Sequence, residues 1–254
     1  MTQRIFRIDY NGQLQHVVEE QGEWRLIDGD IFGDWTPGRS IDSAGHQLLA
    51  PVLPSKIVCV GLNYKDHAAE TNKPLPAEPL LFIKPSTCVI GPGESIVLPE
   101  EVGRVDHEAE MGVVIGRRAT RVHPDEAHEY VLGVICVNDV TARALQNKGA
   151  SYTRAKGFDT FAPIGPCVAR GLDYTGPQGL EVEGWVNGVK RQSSSTRELI
   201  FQIPMLIAYI STNMTLLPGD IISTGTPSGV GPLNAGDRVT VKVEGVGELT
   251  NPVV

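Results

Sequence analysis

The chain has 254 residues, 41% of them hydrophobic and 20% charged, a composition that supports a packed core and excludes a disordered polymer. Thirty acidic residues against 22 basic ones give a formal charge of −8. That charge repels a phosphate backbone, and no local Lys/Arg cluster offsets it, so nucleic acid is excluded as a partner.

Twenty-eight glycines and 18 prolines imply many turns and a fold of strands rather than a helical bundle. Residues 1–52 read as a small N-terminal β domain. Strands are expected in RIFRIDY, LQHVVEE and EWRLIDG, separated by turns at Asn11-Gly12 and Gly22. The start has no apolar signal core, and no run approaches the ~20 apolar residues of a spanning helix, so a cytoplasmic protein with no membrane partner is expected. Pro51 and Pro54 break the pattern, and a second domain is expected over residues 53–254. It opens with a strand over residues 56–60. GLNYKDHAAE follows as a short helical turn, then TNKPLPAEP, too rich in proline to continue a helix. Strands are expected over residues 80–84, 95–98 and 108–116, a short helix over 124–130 and a buried strand over 131–138. Asn187-Gly188 joins a hairpin of residues 182–186 and 189–192. One longer helix is expected over residues 203–213, with Pro204 in its first turn, and strands over 220–224 and 237–250. The pattern is α+β and strand-dominated, not the regular alternation of a doubly wound sheet. Cys59, Cys88, Cys136 and Cys167 have no C-x-x-C spacing and read as reduced core residues.

Chemistry concentrates in four places. In VDHEAEMGVVIG a strand period of two puts Asp106, Glu108 and Glu110 on one face. Crowded carboxylates either protonate or recruit a cation, although a solvated strand face would show the same alternation. Asp139 ends the apolar run and stands where a helix over VTARALQ could start, either as a mere N-cap or as a third ligand. Such a helix would place Arg143 and Gln146 on its face at i+4 and i+7. Three oxygen donors without cysteine or a histidine pair suit magnesium, manganese or calcium better than zinc. His67 and Glu70, at i and i+3 of the helical turn, form a candidate general-base dyad or an ordinary surface pair. Lys156, in RAKGFDTFAPIGP, is a candidate contact for an anionic substrate, or a solvated lysine. The run STGTPSGVG from Ser223 could present amides and hydroxyls to a carboxylate. It is not a nucleotide loop, because no Lys-Ser/Thr follows its glycines.

GLNYKDHAAE, HEAEMGVVIG, VNDVTARALQ, KGFDTFAPIGP and MTLLPGDIISTGTPSGVGP, in that order, resemble the fumarylacetoacetate hydrolase superfamily over residues 53–254. The resemblance implies a mixed β-sandwich roll preceded by the small N-terminal domain of bacterial members. It implies a magnesium, manganese or calcium ion on Glu108, Glu110 and Asp139, and substrate contacts from Arg143, Gln146 and Thr226. Catalytic roles fall on His67, Glu70 and Lys156, with Gly157 where relatives often carry serine. A homodimer is expected, acting on a small anionic keto acid. The activity implied is a metal-dependent hydrolase or decarboxylase that cleaves a C–C bond in acylpyruvate-like or oxaloacetate-like acids through a metal-bound enolate. His67 and Glu70 would activate water, with Lys156 the next candidate base. The alternatives are an isomerase or decarboxylase of 2-hydroxy-dienedioates in aromatic catabolism and, from another class, a non-catalytic protein that binds a metal or small acid.

Overall fold

A computed structural model describes residues 2–146 and 152–254. The largest sheet runs, from one edge, through Trp35–Ile41, Glu23–Gly29, Gln13–Glu20, Gln3–Tyr10, Ala162–Arg170, Val131–Asn138, Ala109–Ile115, Ile221–Ser223, Lys56–Gly61 and Leu80–Pro85. The N-terminal meander is therefore continuous with the strands that carry the chemistry, through the register Gln3↔Arg170 to Ile5↔Val168. A four-stranded sheet of Val189–Ser195, Glu181–Val186, Arg238–Val243 and Gly247–Pro252 is separate from it. So is a three-stranded one of Thr141–Ala142, Val105–His107 and Gly231–Leu233. The architecture is strand-dominated α+β, in several sheets, with no closed barrel among the described residues.

The central strands are buried on both faces. Ala109, Met111, Val113 and Ile115 enter one core with Val182, Val241 and the helix residues Leu206, Ile207 and Ile210. Val114 enters another with Ile135, Val137 and Ile57. The strand period of two thus assigns the odd positions to one core and leaves Glu110 with the other face. Between them, Gly112 has no room for a side chain, because a Cβ there would lie 2.6 Å from Val137 Cγ2.

Local signals translate directly into elements. The helix spans Ile203–Asn213 with Pro204 in its first turn, and Asn187 and Gly188 have φ of +52° and +76°, as a two-residue hairpin turn requires. Residues 124–130 form a 3-10 helix, and the C-terminal strand expectation resolves into the hairpin Arg238–Val243 and Gly247–Pro252. Two expectations are corrected. Residues 95–98 form no strand, only a single bridge from Ile96 to Val253. The helix expected from Asp139 begins at Arg143 and spans Arg143–Gln146, because Thr141 and Ala142 pair with Asp106 and Val105 and Val140 N donates to Phe161 O at 3.2 Å. Long-range pairing keeps this stretch extended against its helical propensity, so Asp139 is not an N-cap. All four cysteines are buried and free. No helix of the described residues is long and apolar enough to cross a membrane.

Candidate active site

Sheet register assembles the carboxylates. Ala109 lies opposite Asn138, so Glu108 and Glu110 flank the same point at which Asp139 leaves its strand. The join is locked by Asp139 N donating to Glu108 O at 2.9 Å and Glu108 N donating to Asn138 Oδ1 at 3.1 Å. Carboxylate oxygens of buried Glu108, Glu110 and Asp139 lie within 4.8 Å of one another. Glu110 Oε2 accepts from Ser223 Oγ at 2.5 Å and from Gly225 N at 2.9 Å.

The three acids are not electrostatically equal. Burial would raise the Glu108 carboxyl, but the charges of Lys156 and Arg143 overcome it and hold the group at about 2. Glu110 is pushed up to about 8, first by burial and then by the charges of Asp139 and Glu108, against which Lys156 and the Ser223 hydroxyl are insufficient. A third negative charge here calls for a further cation. A buried, all-oxygen donor set of this kind could hold a divalent ion, and its hardness suits magnesium, manganese or calcium.

Three basic side chains surround the triad. Lys156 ends the short helix Tyr152–Lys156 and donates to Glu108 Oε2 at 2.8 Å and Asp139 Oδ2 at 2.5 Å. Its Nζ lies 5.0 Å from the centre of the Phe82 ring. Burial would lower its pKa, yet Asp139, Glu108 and Glu110 together raise it above the ordinary lysine value. Lys156 is therefore placed as a cationic partner of Glu108 and Asp139. Gly157, where a Cβ would meet Thr153 O at 2.7 Å, leaves no space for a larger residue. Arg143 spans the site, with Nη2 to Glu108 Oε1 at 2.5 Å, Nε to Asp106 Oδ2 at 2.8 Å and Nη1 to Gln146 Oε1 at 2.5 Å. Sequence reasoning missed the third cation. Lys84, fully buried, donates to Asp139 Oδ1 at 2.6 Å and Val140 O at 3.1 Å. Its only sequence signal is a charge ending the apolar strand Leu80–Pro85.

The dyad meets the triad across a cavity of about 70 Å³. His67 sits on the helix Lys65–Glu70, its Nδ1 3.0 Å from Glu70 Oε2, and it lines the cavity together with the three acids. Arg143, Gln146, Lys156 and Thr226 line it too. Glu70 is fixed through its other oxygen, which accepts from Gly229 N at 3.0 Å. The Thr226 hydroxyl donates to Ala109 O at 2.9 Å and accepts from Gln192 Nε2 at 2.7 Å, so it braces the strand that carries the ligands. The loop after Ser223 does present amides and a hydroxyl to carboxylates, and those carboxylates are the protein's own, Glu110 and Glu70. Gly229 is needed for this. Its φ is +94°, and a Cβ would lie 2.0 Å from Arg191 O.

The sequence matches the family Fumarylacetoacetate (FAA) hydrolase C-terminal over residues 56–254 and the family Rv2993c-like, N-terminal over residues 3–51. Oxaloacetate tautomerase fahd2, mitochondrial, from Xenopus laevis is 41% identical over 236 residues, covering 86% of this chain and 74% of its own. The crystal structure of 2-hydroxyhepta-2,4-diene-1,7-dioate isomerase from Mycobacterium marinum superimposes with a TM-score of 0.90 at 40% identity, covering 99% of this chain and 98% of that one. That of 5-carboxymethyl-2-hydroxymuconate delta-isomerase from Mycobacterium smegmatis gives a TM-score of 0.88 at 44% identity, over 99% and 98% of the two chains. With its buried carboxylate triad and with a family match spanning residues 56–254, the chain belongs to the fumarylacetoacetate hydrolase family of enzymes.

Proposed function

We propose that the protein is a divalent-metal-dependent enzyme of small 2-oxo acids, whose elementary step is proton transfer at the carbon next to the oxo group. The observation that carries this reading is the placing of one oriented imidazole, His67, on the same cavity as the three carboxylates and their cations. Glu70 accepts from Nδ1, which fixes the tautomer and leaves Nε2 as the site that takes or gives the proton. Arg143 and Lys156 are held cationic and supply fixed positive charge where an enolate would gain its negative charge. A divalent ion on Glu108, Glu110 and Asp139 would add the Lewis-acid stabilisation of that charge. Charge counting supports the substrate class. Lys84, Lys156, Arg143 and Arg104 balance the three acids and Asp106, which both arginines touch, so a divalent ion leaves two positive charges, the match for a carboxylate plus an enolate oxygen.

Proton transfer between an enol or dienol and its keto form is what the tautomerase and isomerase names have in common, at the carbon next to the oxo group for oxaloacetate and at the far end of the dienol for the 2-hydroxy-dienoates. Hydrolytic or decarboxylative C–C cleavage is the second reading, favoured by the same dyad, which could deprotonate water instead of carbon. A substrate panel separates the two. Oxaloacetate, acetylpyruvate, fumarylpyruvate and 2-hydroxyhepta-2,4-diene-1,7-dioate are incubated with and without magnesium, and enol–keto exchange and cleavage products are followed separately. Exchange that depends on magnesium and outruns cleavage is the expected result. Cleavage at the rate of exchange establishes the second reading, and no turnover of any of the four overturns both.

A further inference from the structure

The cavity contains a cation that neither the triad nor the dyad uses. Lys73 lies just beyond the helix Lys65–Glu70, its amide donating to Ala68 O at 3.0 Å, so it is carried by the same short segment as His67. It lines the same cavity. Arg143 and Lys156 are committed to Asp106, Glu108 and Asp139, whereas Lys73 makes no ion pair or side-chain hydrogen bond among the described residues. The acids nearest to it along the chain are engaged elsewhere: Asp66 with the His67 amide, Glu70 with His67 and Gly229, and Glu78 with the Tyr209 hydroxyl. A substrate with one carboxylate and one oxo group would already be neutralised by the triad and its cations, leaving Lys73 unmatched.

We propose that Lys73 is a specificity-determining residue that pairs with a second, distal carboxylate, so that the site selects 2-oxo dicarboxylates over 2-oxo monocarboxylates. This rests on the reading of the site as one for 2-oxo acids. Lys73 is exposed, so solvent screens the pair and the expected discrimination is about tenfold rather than a thousandfold.

The test is calorimetric titration of the full chain, loaded with manganese, using 2-oxoglutarate and 2-oxopentanoate. They share a carbon count and differ by the distal carboxylate. The wild type should bind 2-oxoglutarate about tenfold more tightly. Lys73→Met should abolish the preference by weakening 2-oxoglutarate alone, Lys73→Arg should retain it, and Lys73→Glu should reverse it. Equal affinities in the wild type, or an undiminished preference in Lys73→Met, would overturn the assignment. If manganese binds and neither acid does, the 2-oxo-acid reading itself fails and this inference with it.

Discussion

Glu110→Gln replaces the one carboxyl that must take up a proton to fold into a metal-free cluster whose oxygens lie within 4.8 Å of one another. The Glu110 carboxyl is raised from its ordinary 4.5 to about 8, by burial first and by the charges of Asp139 and Glu108 next. A carboxyl whose folded pKa lies above its unfolded value costs the fold nothing at pH below the unfolded value, and an increasing amount as pH rises between the two. From pH 4.5 to 7 that cost accumulates at about 1.4 kcal/mol per pH unit, to about 3 kcal/mol. Glutamine escapes it, and its carbonyl oxygen still accepts from Ser223 and Gly225. The metal-free variant should therefore melt above the metal-free wild type at pH 7, by about 6–12 °C at 2–4 °C per kcal/mol for a chain of this size. The advantage should shrink to nothing near pH 4.5. Divalent metal at one hundred times its Kd should stabilise the wild type by about 2.7 kcal/mol and the variant hardly at all. Thermal melts in chelator and in excess magnesium or manganese, from pH 5 to 8, measure both effects. A variant that melts below the wild type in chelator across this range, or that keeps the full metal-induced rise, would refute the argument.

His67→Ala should lower kcat by about 10²–10⁴-fold with KM little changed, since in the proposed function it removes the proton-transfer group that acts in the transition state. Steady-state kinetics on each substrate turned over in the panel checks this, and a near-wild-type kcat would move the base elsewhere. Lys84→Met breaks a fully buried pair with Asp139 and should cost the metal-free protein about 3–5 kcal/mol in denaturant titrations. The cost should be less when metal is bound and neutralises Asp139; an equal loss in both states would show that the two cations do not share that charge. Homodimerisation is a further proposal. Sedimentation at micromolar concentration should give about twice the 27.4 kDa of one chain, and a monomer would dismiss it.

The parts of the molecule legible in the sequence are those fixed by short-range signals. The turn residues Asn187-Gly188 and the helix over residues 203–213 with Pro204 in its first turn are decided within a few positions, and the structure follows both. The spacing of Glu108 and Glu110 is also local, but the single strand expected over 108–116 is broken at Glu108, which stands between Val105–His107 and Ala109–Ile115 in two different sheets. Pairing with residues 138 and 139, rather than a strand period, brings the two acids together. Asp139 shows the limit. The run after it has helical propensity, but pairing with residues 105 and 106, more than 30 positions away, overrides it. Its nearness to the other acids comes from register between strands, not from a helix. Lys84 was illegible for the same reason, since its partner Asp139 lies 55 residues on and burial of a lone lysine leaves no mark on neighbouring residues.

The loop from Ser223 shows how such long-range contacts turn separate motifs into one site. Its Gly225 amide holds Glu110, a member of the triad, and its Gly229 amide holds Glu70, the partner of the imidazole. Both glycines have positive φ and sit where a Cβ would strike a neighbour, Asn63 Cβ at 2.8 Å for Gly225 and Arg191 O at 2.0 Å for Gly229. The backbone can approach this closely only without side chains. The spacing of these two amides along one loop therefore sets the separation between the carboxylate cluster and the dyad, and the proposed proton transfer depends on that separation being held to a fraction of an ångström.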